Sequence, residues 1–125
     1  MKKSLLSGDV VDNGHELVVR LELPGVEQAA DAVVKALQQK RRITIYGDYD
    51  VDGVTGTSIL WYCLQLCGGH VDYYIPCRME EGYGLSQGAL ENCLRRFPVT
   101  LVLAVDCGST SVDAIRWLRG QGVDV

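Results

Sequence analysis

Asp48, Asp50 and Asp52 stand at alternate positions between a β-rich run and a long apolar stretch. Three carboxylates packed so closely repel one another, and drawing them out of water is unfavourable unless protons or a cation neutralise them. A hard divalent cation with oxygen ligands does so directly, and Mg²⁺ and Mn²⁺ suit carboxylate and water ligands. Gly47 and Gly53 let the backbone turn around the cluster, and Thr55, Thr57 and Ser58 place hydroxyls near the start of the next helix, where free N–H groups can meet a phosphate. The plainer alternative is a solvated acidic turn with one capping aspartate. The apolar flanks on both sides favour the metal reading, because they keep the cluster near the core. A calcium loop of the helix-loop-helix type is disfavoured: a strand precedes, and the twelfth position from Asp48 is Ile59 rather than glutamate.

Asp106-Cys107-Gly108-Ser109 repeats the arrangement of apolar strand, aspartate, glycine and helix start. Alone it reads equally well as a helix cap; opposite the first cluster it becomes a bridging ligand between two metals. Arg78-Met79-Glu80-Glu81-Gly82-Tyr83-Gly84-Leu85 follows Pro76 and reads as a loop. Arg78 offers a planar clamp for phosphate and Tyr83 a ring for base stacking. The structural alternatives are an ion pair of Arg78 with Glu80 or Glu81, and a packed turn aromatic at Tyr83.

The elements that must position these residues follow from periodicity. Residues 15–23 alternate partially and end at Pro24-Gly25, the pattern of a short strand. Val26, Ala29, Ala30, Val33, Val34 and Leu37 predict an amphipathic helix over residues 27–39, closed by basic Lys40-Arg41-Arg42. Residues 43–46 form a strand that stops at Gly47. Residues 54–66 read as a buried helix ending at Gly68-Gly69. A second strand covers residues 71–75, and Ser86 caps a helix running to Arg96. Residues 100–105 are uniformly apolar, as in a parallel strand covered on both faces. Ser109 or Ser111 caps a further helix to Arg119, and residues 123–125 open a fourth strand. Alternating strands and helices predict an α/β fold with a doubly wound, mainly parallel sheet. Ligands in such sheets bind beyond the carboxyl ends of the strands. All four aspartates are therefore expected at one edge.

The 125 residues suit about one domain, and 47% hydrophobic with 22% charged residues is a globular composition. The net charge is −4, which argues against binding nucleic acid by bulk positive charge. Without the four aspartates the remaining charges balance, so the acidity is concentrated in one site. The five cysteines, Cys63, Cys67, Cys77, Cys93 and Cys107, form no Cys-x-x-Cys pair and read as free thiols rather than a zinc site or a disulfide framework. His15 and His70 lack the surroundings of metal ligands. Short apolar runs and early acidic residues predict no membrane span or signal peptide, and hence a soluble, cytoplasmic protein.

Ile45-Tyr46-Gly47-Asp48-Tyr49-Asp50-Val51-Asp52-Gly53-Val54-Thr55 resembles the first motif of the DHH phosphoesterase superfamily. Tyr73-Tyr74-Ile75-Pro76-x-Arg78-x-Glu80-Glu81-Gly82-Tyr83-Gly84-Leu85 resembles its RecJ branch, the single-strand-specific 5′→3′ exodeoxyribonucleases. Val105-Asp106-Cys107-Gly108-Ser109 is similar to the second superfamily motif, where asparagine more often precedes the glycine. The resemblance covers residues 27–125 and leaves residues 1–26 as an unassigned amino-terminal segment. It implies that Asp50 and Asp52 are metal ligands with Asp48 touching the ion or next to it, that Asp106 helps hold a pair of Mn²⁺ or Mg²⁺ ions, and that Arg78 contacts phosphate. It also implies metal-dependent phosphodiester hydrolysis on single-stranded DNA in the parent protein, in DNA repair or recombination. The family's Asp-His-His motif follows the next strand and lies past Val125, so the chain reads as an inactive amino-terminal part of an incomplete domain. Two alternatives stand beside this one. An oligonucleotide or cyclic-dinucleotide phosphodiesterase more often opens with a His-x-Asn-Pro-Asp type motif, which residues 46–50 depart from. The other is a catalytically dead binding or scaffold module.

Overall fold

The computed structural model describes residues 10–12, 17–19 and 24–125. The chain divides into two compact units, Met1–Val34 and Lys35–Val125. In the first, β1 (Val10–Asp12) pairs antiparallel with β2 (Leu17–Val19), with Val11 opposite Val18. β2 falls within the expected strand over residues 15–23, whose other residues lie outside those described; β1 has no counterpart among the expected elements. Helix α1 (Val26–Gln38) matches the expected amphipathic helix within one residue at each end and crosses the boundary between the units.

The second unit is an α/β structure built on a parallel sheet of β3 (Arg42–Tyr46), β4 (His70–Tyr74) and β5 (Leu101–Ala104), in the order β4-β3-β5. Tyr46 lies opposite Tyr74 on one side and Ala104 on the other. Beyond β5 the chain begins to add a further parallel strand: Leu101 bridges Asp124, and the Val102 N–H donates to the Asp124 carbonyl at 2.8 Å. Arg41 fastens this outer end by donating to the Thr100 carbonyl at 2.7 Å and pairing with Asp124 at 2.6 Å.

β3 is the central strand, and Ile43, Thr44, Ile45 and Tyr46 are all buried. Alternation sends Thr44 and Tyr46 to one face and Ile43 and Ile45 to the other. Tyr46 and Val102 pack with Leu90 and Cys93 of α4 (Gln87–Arg96) and Leu118 of α5 (Val112–Gly120). Helix α2 (Val51–Leu66) connects β3 to β4 and contacts both strands.

Three expectations are corrected. Helix α2 begins at Val51, so the aspartate run is not wholly a loop: Asp50 is the N-cap and Asp52 lies in the first turn. Nor is α2 a buried helix. Only Gly53, Thr57 and Leu64 are buried, while Val51, Ile59, Tyr62 and Leu66 are exposed. A single sheet face touches one stripe of a helix, and uniform apolarity does not reveal which stripe. The loop expected after Pro76 contains a single helical turn, α3 (Arg78–Glu81). The other elements differ from expectation by about a residue at their ends, as hydrogen-bonded boundaries commonly do.

Candidate metal centre

The chain leaves β3 for β4 on one side and later returns to β5 on the other. Such a reversal opens a crevice at the carboxyl ends of the two diverging strands. Gly47 and Asp48 emerge from β3 at this point, held by bonds from the Gly47 N–H to the Tyr74 carbonyl (3.0 Å) and from the Val105 N–H to the Tyr46 carbonyl (2.9 Å). Asp106 emerges from β5 with φ 59, a left-handed conformation uncommon outside glycine but tolerated by aspartate. Strain of this kind persists where the surroundings impose it and concentrates at functional sites.

Carboxylate oxygens of Asp48, Asp50 and Asp106 all lie within 4.8 Å of one another. Asp48 is only 2% exposed. Its Oδ1 accepts from the Tyr49 N–H at 2.7 Å, while its buried Oδ2 has no hydrogen-bond partner. A buried acceptor left unpaired costs about 1–3 kcal/mol, more when charged. Asp50 Oδ1 caps α2 by accepting from the Gly53 N–H at 2.8 Å, which leaves its second oxygen available to the crevice. Gly53 permits this packing, since a Cβ there would lie 2.5 Å from the Asp48 carbonyl oxygen. Asp106 is exposed, yet partial desolvation, the charges of Asp50 and Asp52, a hydrogen bond with Asp50 and the charge of Asp48 raise its carboxyl above the ordinary carboxylate value. Oxygen donors alone, repelling one another and including one orphaned oxygen, fit a hard divalent cation. Asp48, Asp50 and Asp106 would hold it.

Asp52 is not part of this cluster. It lies exposed in the first turn of α2, and its charge reaches Asp106. The i,i+2,i+4 spacing suggests three equivalent ligands, but helix begins between Asp50 and Asp52 and turns Asp52 off the strand-like alternation.

Arg78 and Tyr83 belong to the same edge. The Arg78 guanidinium carbon sits 4.9 Å from the centre of the Tyr49 ring, a cation–π contact. Arg78 forms no ion pair with Glu80 or Glu81 among the described residues. Tyr83 is 70% exposed. Asp48 first, then partial desolvation, Asp106 and Asp50, raise its phenol pKa. Tyr49 is a site residue that sequence reasoning missed; its signal is its position, the one aromatic between two ligand-type aspartates. The sulfur of Cys107 also lies near, and burial with the charges of Asp48 and Asp106 pushes its thiol pKa up to about 11.

Residues 42–125 match the DHH family, N-terminal domain. The chain belongs to the DHH family. It is 40% identical over 104 residues to the single-stranded-DNA-specific exonuclease RecJ of Bacillus subtilis, covering 83% of this chain and 13% of that protein. It is 43% identical over 105 residues to RecJ of Thermus thermophilus, covering 84% and 16%. RecJ of Escherichia coli is 33% identical over 105 residues, covering 83% and 18%. The chain thus spans less than a fifth of these relatives. A crystal structure of exonuclease RecJ bound to manganese superposes with a TM-score of 0.74 at 43% identity, covering 82% of this chain and 26% of that one. A crystal structure of Thermus thermophilus RecJ in complex with Mn²⁺ gives 0.68 at 37% identity, covering 82% and 14%. No helix among the described residues is long and apolar enough to cross a membrane.

Proposed function

We propose that this chain is the amino-terminal part of a RecJ-type exonuclease that hydrolyses single-stranded DNA from its 5′ end. Asp48, Asp50 and Asp106 hold Mn²⁺ or Mg²⁺, and two ions occupy the complete centre, with Asp52 adding negative charge beside it. The observation that carries this reading is the orphaned Oδ2 of buried Asp48 inside a three-carboxylate cluster at the switch point. When bound, the metal supplies an activated water and stabilises charge developing on the phosphate.

The chain's own residues do the rest. Arg78 presents its guanidinium to a backbone phosphate as a two-pronged donor. Tyr49 lies against the Arg78 guanidinium and limits its directions. Tyr83 offers an exposed ring on which a base can stack without regard to sequence. The carboxylates would repel a phosphodiester by themselves, so DNA binding depends on loaded metal and on basic surface elsewhere in the full-length protein. By itself the chain turns over little, because its described carboxylates make only part of a two-ion centre. This reading places the protein in the cytoplasm, in DNA repair and recombination.

The test is cleavage of 5′-phosphorylated single-stranded DNA by the full-length protein with Mn²⁺, beside an Asp50→Ala/Asp52→Ala variant. Loss of about 10³-fold or more in the variant is expected for removal of metal-centre charge. Equal activity would overturn the assignment.

A further inference from the structure

The segment Arg78–Gly84, α3 with the start of the loop that follows it, carries Arg78 and Tyr83 to the crevice, and none of its side chains is buried; the chain rejoins the core at Leu85. Tyr83 is 70% and Met79 91% exposed. Gly82 and Gly84 have φ of 80 and 73, with open space where a Cβ would lie. A segment built this way holds its shape only if it is tied down.

Glu81 ties it. Its Oε1 accepts from the phenol of Tyr74, at the carboxyl end of β4, and from Asn92 Nδ2 in α4 at 2.5 Å. Its Oε2 accepts from the Cys77 N–H at 2.8 Å, closing the first turn of α3 from behind. Its carbonyl accepts from Ser86 Oγ at 3.1 Å, and the same oxygen of Ser86 caps α4 by accepting from the Ala89 N–H. One residue thus joins the end of β4, the start of α3 and two points on α4. The far end of the loop is fastened separately, where buried Tyr46 donates its phenol to the Gly84 carbonyl at 3.0 Å.

We infer that Glu81 is a positioning residue for substrate: its side chain fixes the Arg78–Gly84 loop across the crevice and so sets where phosphate and base are held. This rests on the nucleic-acid reading of the site. Among the described residues the hydrogen bonds of Glu81 go to Tyr74, Cys77, Ser86 and Asn92, and none goes to the carboxylate cluster, Arg78 or Tyr83. Three donors converge on its carboxylate, and bonds to charged groups are the stronger kind.

The conservative probes are Glu81→Gln, whose single acceptor oxygen can serve Cys77 N–H or the Tyr74 and Asn92 donors but not both sides, and Tyr74→Phe, which deletes one donor at nearly constant volume. In the full-length protein each is expected to raise the KM for 5′-phosphorylated single-stranded DNA about tenfold, with kcat within about twofold and Mn²⁺ affinity unchanged. Combining Glu81→Gln with Arg78→Ala should cost little more than Arg78→Ala alone, since the two act through one element. Hydrogen exchange at residues 77–84 should rise in Glu81→Gln while β3 and β5 stay protected. Unchanged KM with unchanged loop exchange overturns the inference. So does a fall in kcat and melting temperature at constant KM, the mark of a merely structural role. If the wild-type protein cleaves no DNA, the functional reading fails by itself, and the exchange measurement still decides whether Glu81 holds the loop.

Discussion

Asp48 and Asp106 are opposite in their surroundings and alike in their consequence. Asp48 is 2% exposed with an unpartnered oxygen; Asp106 is exposed but surrounded by negative charge. Replacing either by asparagine removes a carboxylate of the proposed centre at nearly constant shape, and Mn²⁺ affinity by calorimetry is expected to fall at least about tenfold. For Asp106 the metal-free state moves the other way. A carboxyl whose folded-state pKa is raised favours the folded chain when protonated, so its ionisation destabilises as pH rises through that raised value. In chelator, Asp106→Asn should therefore melt above the wild type near neutral pH. The gap should close as pH falls from the raised value toward the ordinary carboxylate one. A gap that widens in acid would show that Asp106 is not held among like charges. The cysteines offer an independent check on the same field. Burial, with Asp48 and Asp106, pushes Cys107 up to about 11, and burial with Glu81 pushes Cys93 up to about 12. Cys63, Cys67 and Cys77 are exposed. Since the thiolate is the reactive form, iodoacetamide at pH 8 should modify these three well before Cys93 and Cys107, read by mass spectrometry of tryptic peptides.

Elements carry the cluster only because helix and strand meet at close range. Helix α2 approaches the end of β3 so tightly that a Cβ at Gly53 would press on the carbonyl oxygen, carbonyl carbon and Cβ of Asp48, at 2.5, 2.7 and 2.6 Å. Backbone cannot yield as a flexible side chain does, so Gly53→Ala is expected to cost about 1–3 kcal/mol by overpacking. That should appear as a lower midpoint in urea, with Mn²⁺ affinity reduced as well because Asp48 shifts. Gly88→Ala, in α4 with open space around it, should be neutral or slightly stabilising. The loop between α3 and α4 has its own pH signature. Partial burial alone would raise the Glu81 pKa, but bonds from Asn92, Tyr74 and the Cys77 N–H outweigh it and hold the carboxyl below its ordinary value. A depressed carboxylate contributes stability that is full above its unfolded value and is lost as pH falls through the folded one. The melting gap between wild type and Glu81→Gln should thus stay constant from neutral pH to the ordinary glutamate range, then shrink in stronger acid. A gap already vanishing above that range would count against the network. These elements are largely legible in the residues. Short β-rich or uniformly apolar runs mark β3, β4 and β5, and Ser86 announces α4. Helix α2 is the exception. A run apolar all round contains no stripe, so neither its exposed outer face nor its start at Val51 follows from the pattern. Asp52 misleads for the same reason: the alternation that makes carboxylates neighbours on a strand does not survive entry into a helix.

Across the whole chain the net charge of −4 equals that of Asp48, Asp50, Asp52 and Asp106 together. Composition alone argues against nucleic acid. The fold instead gathers three of the four at the switch point between β3 and β5, where a cation can cancel them. That convergence is legible, because placing loops at the carboxyl ends of parallel strands follows from topology without knowledge of any side chain. The hydrogen bonds of Glu81 and the ring of Tyr49 beneath Arg78 are not, since they depend on rotamers in a loop. If cation binding relieves repulsion that folding created, the ion must bind the folded state more tightly than the unfolded chain, where Asp106 lies far from Asp48 and Asp50. Stability should then rise with free cation as binding linkage requires, by about 2.7 kcal/mol at a hundred times the dissociation constant. Melting followed by circular dichroism across a Mn²⁺ titration should show this rise, reversed by chelator and much reduced in Asp48→Asn. Potassium chloride at equal ionic strength is the necessary control. Monovalent screening weakens repulsion among exposed Asp50, Asp52 and Asp106 but reaches buried Asp48 poorly, so it should reproduce only a small part of the effect. A melting temperature that follows ionic strength alone, indifferent to the identity of the cation, would reduce the cluster to an acidic surface and remove the physical basis for a metal centre here.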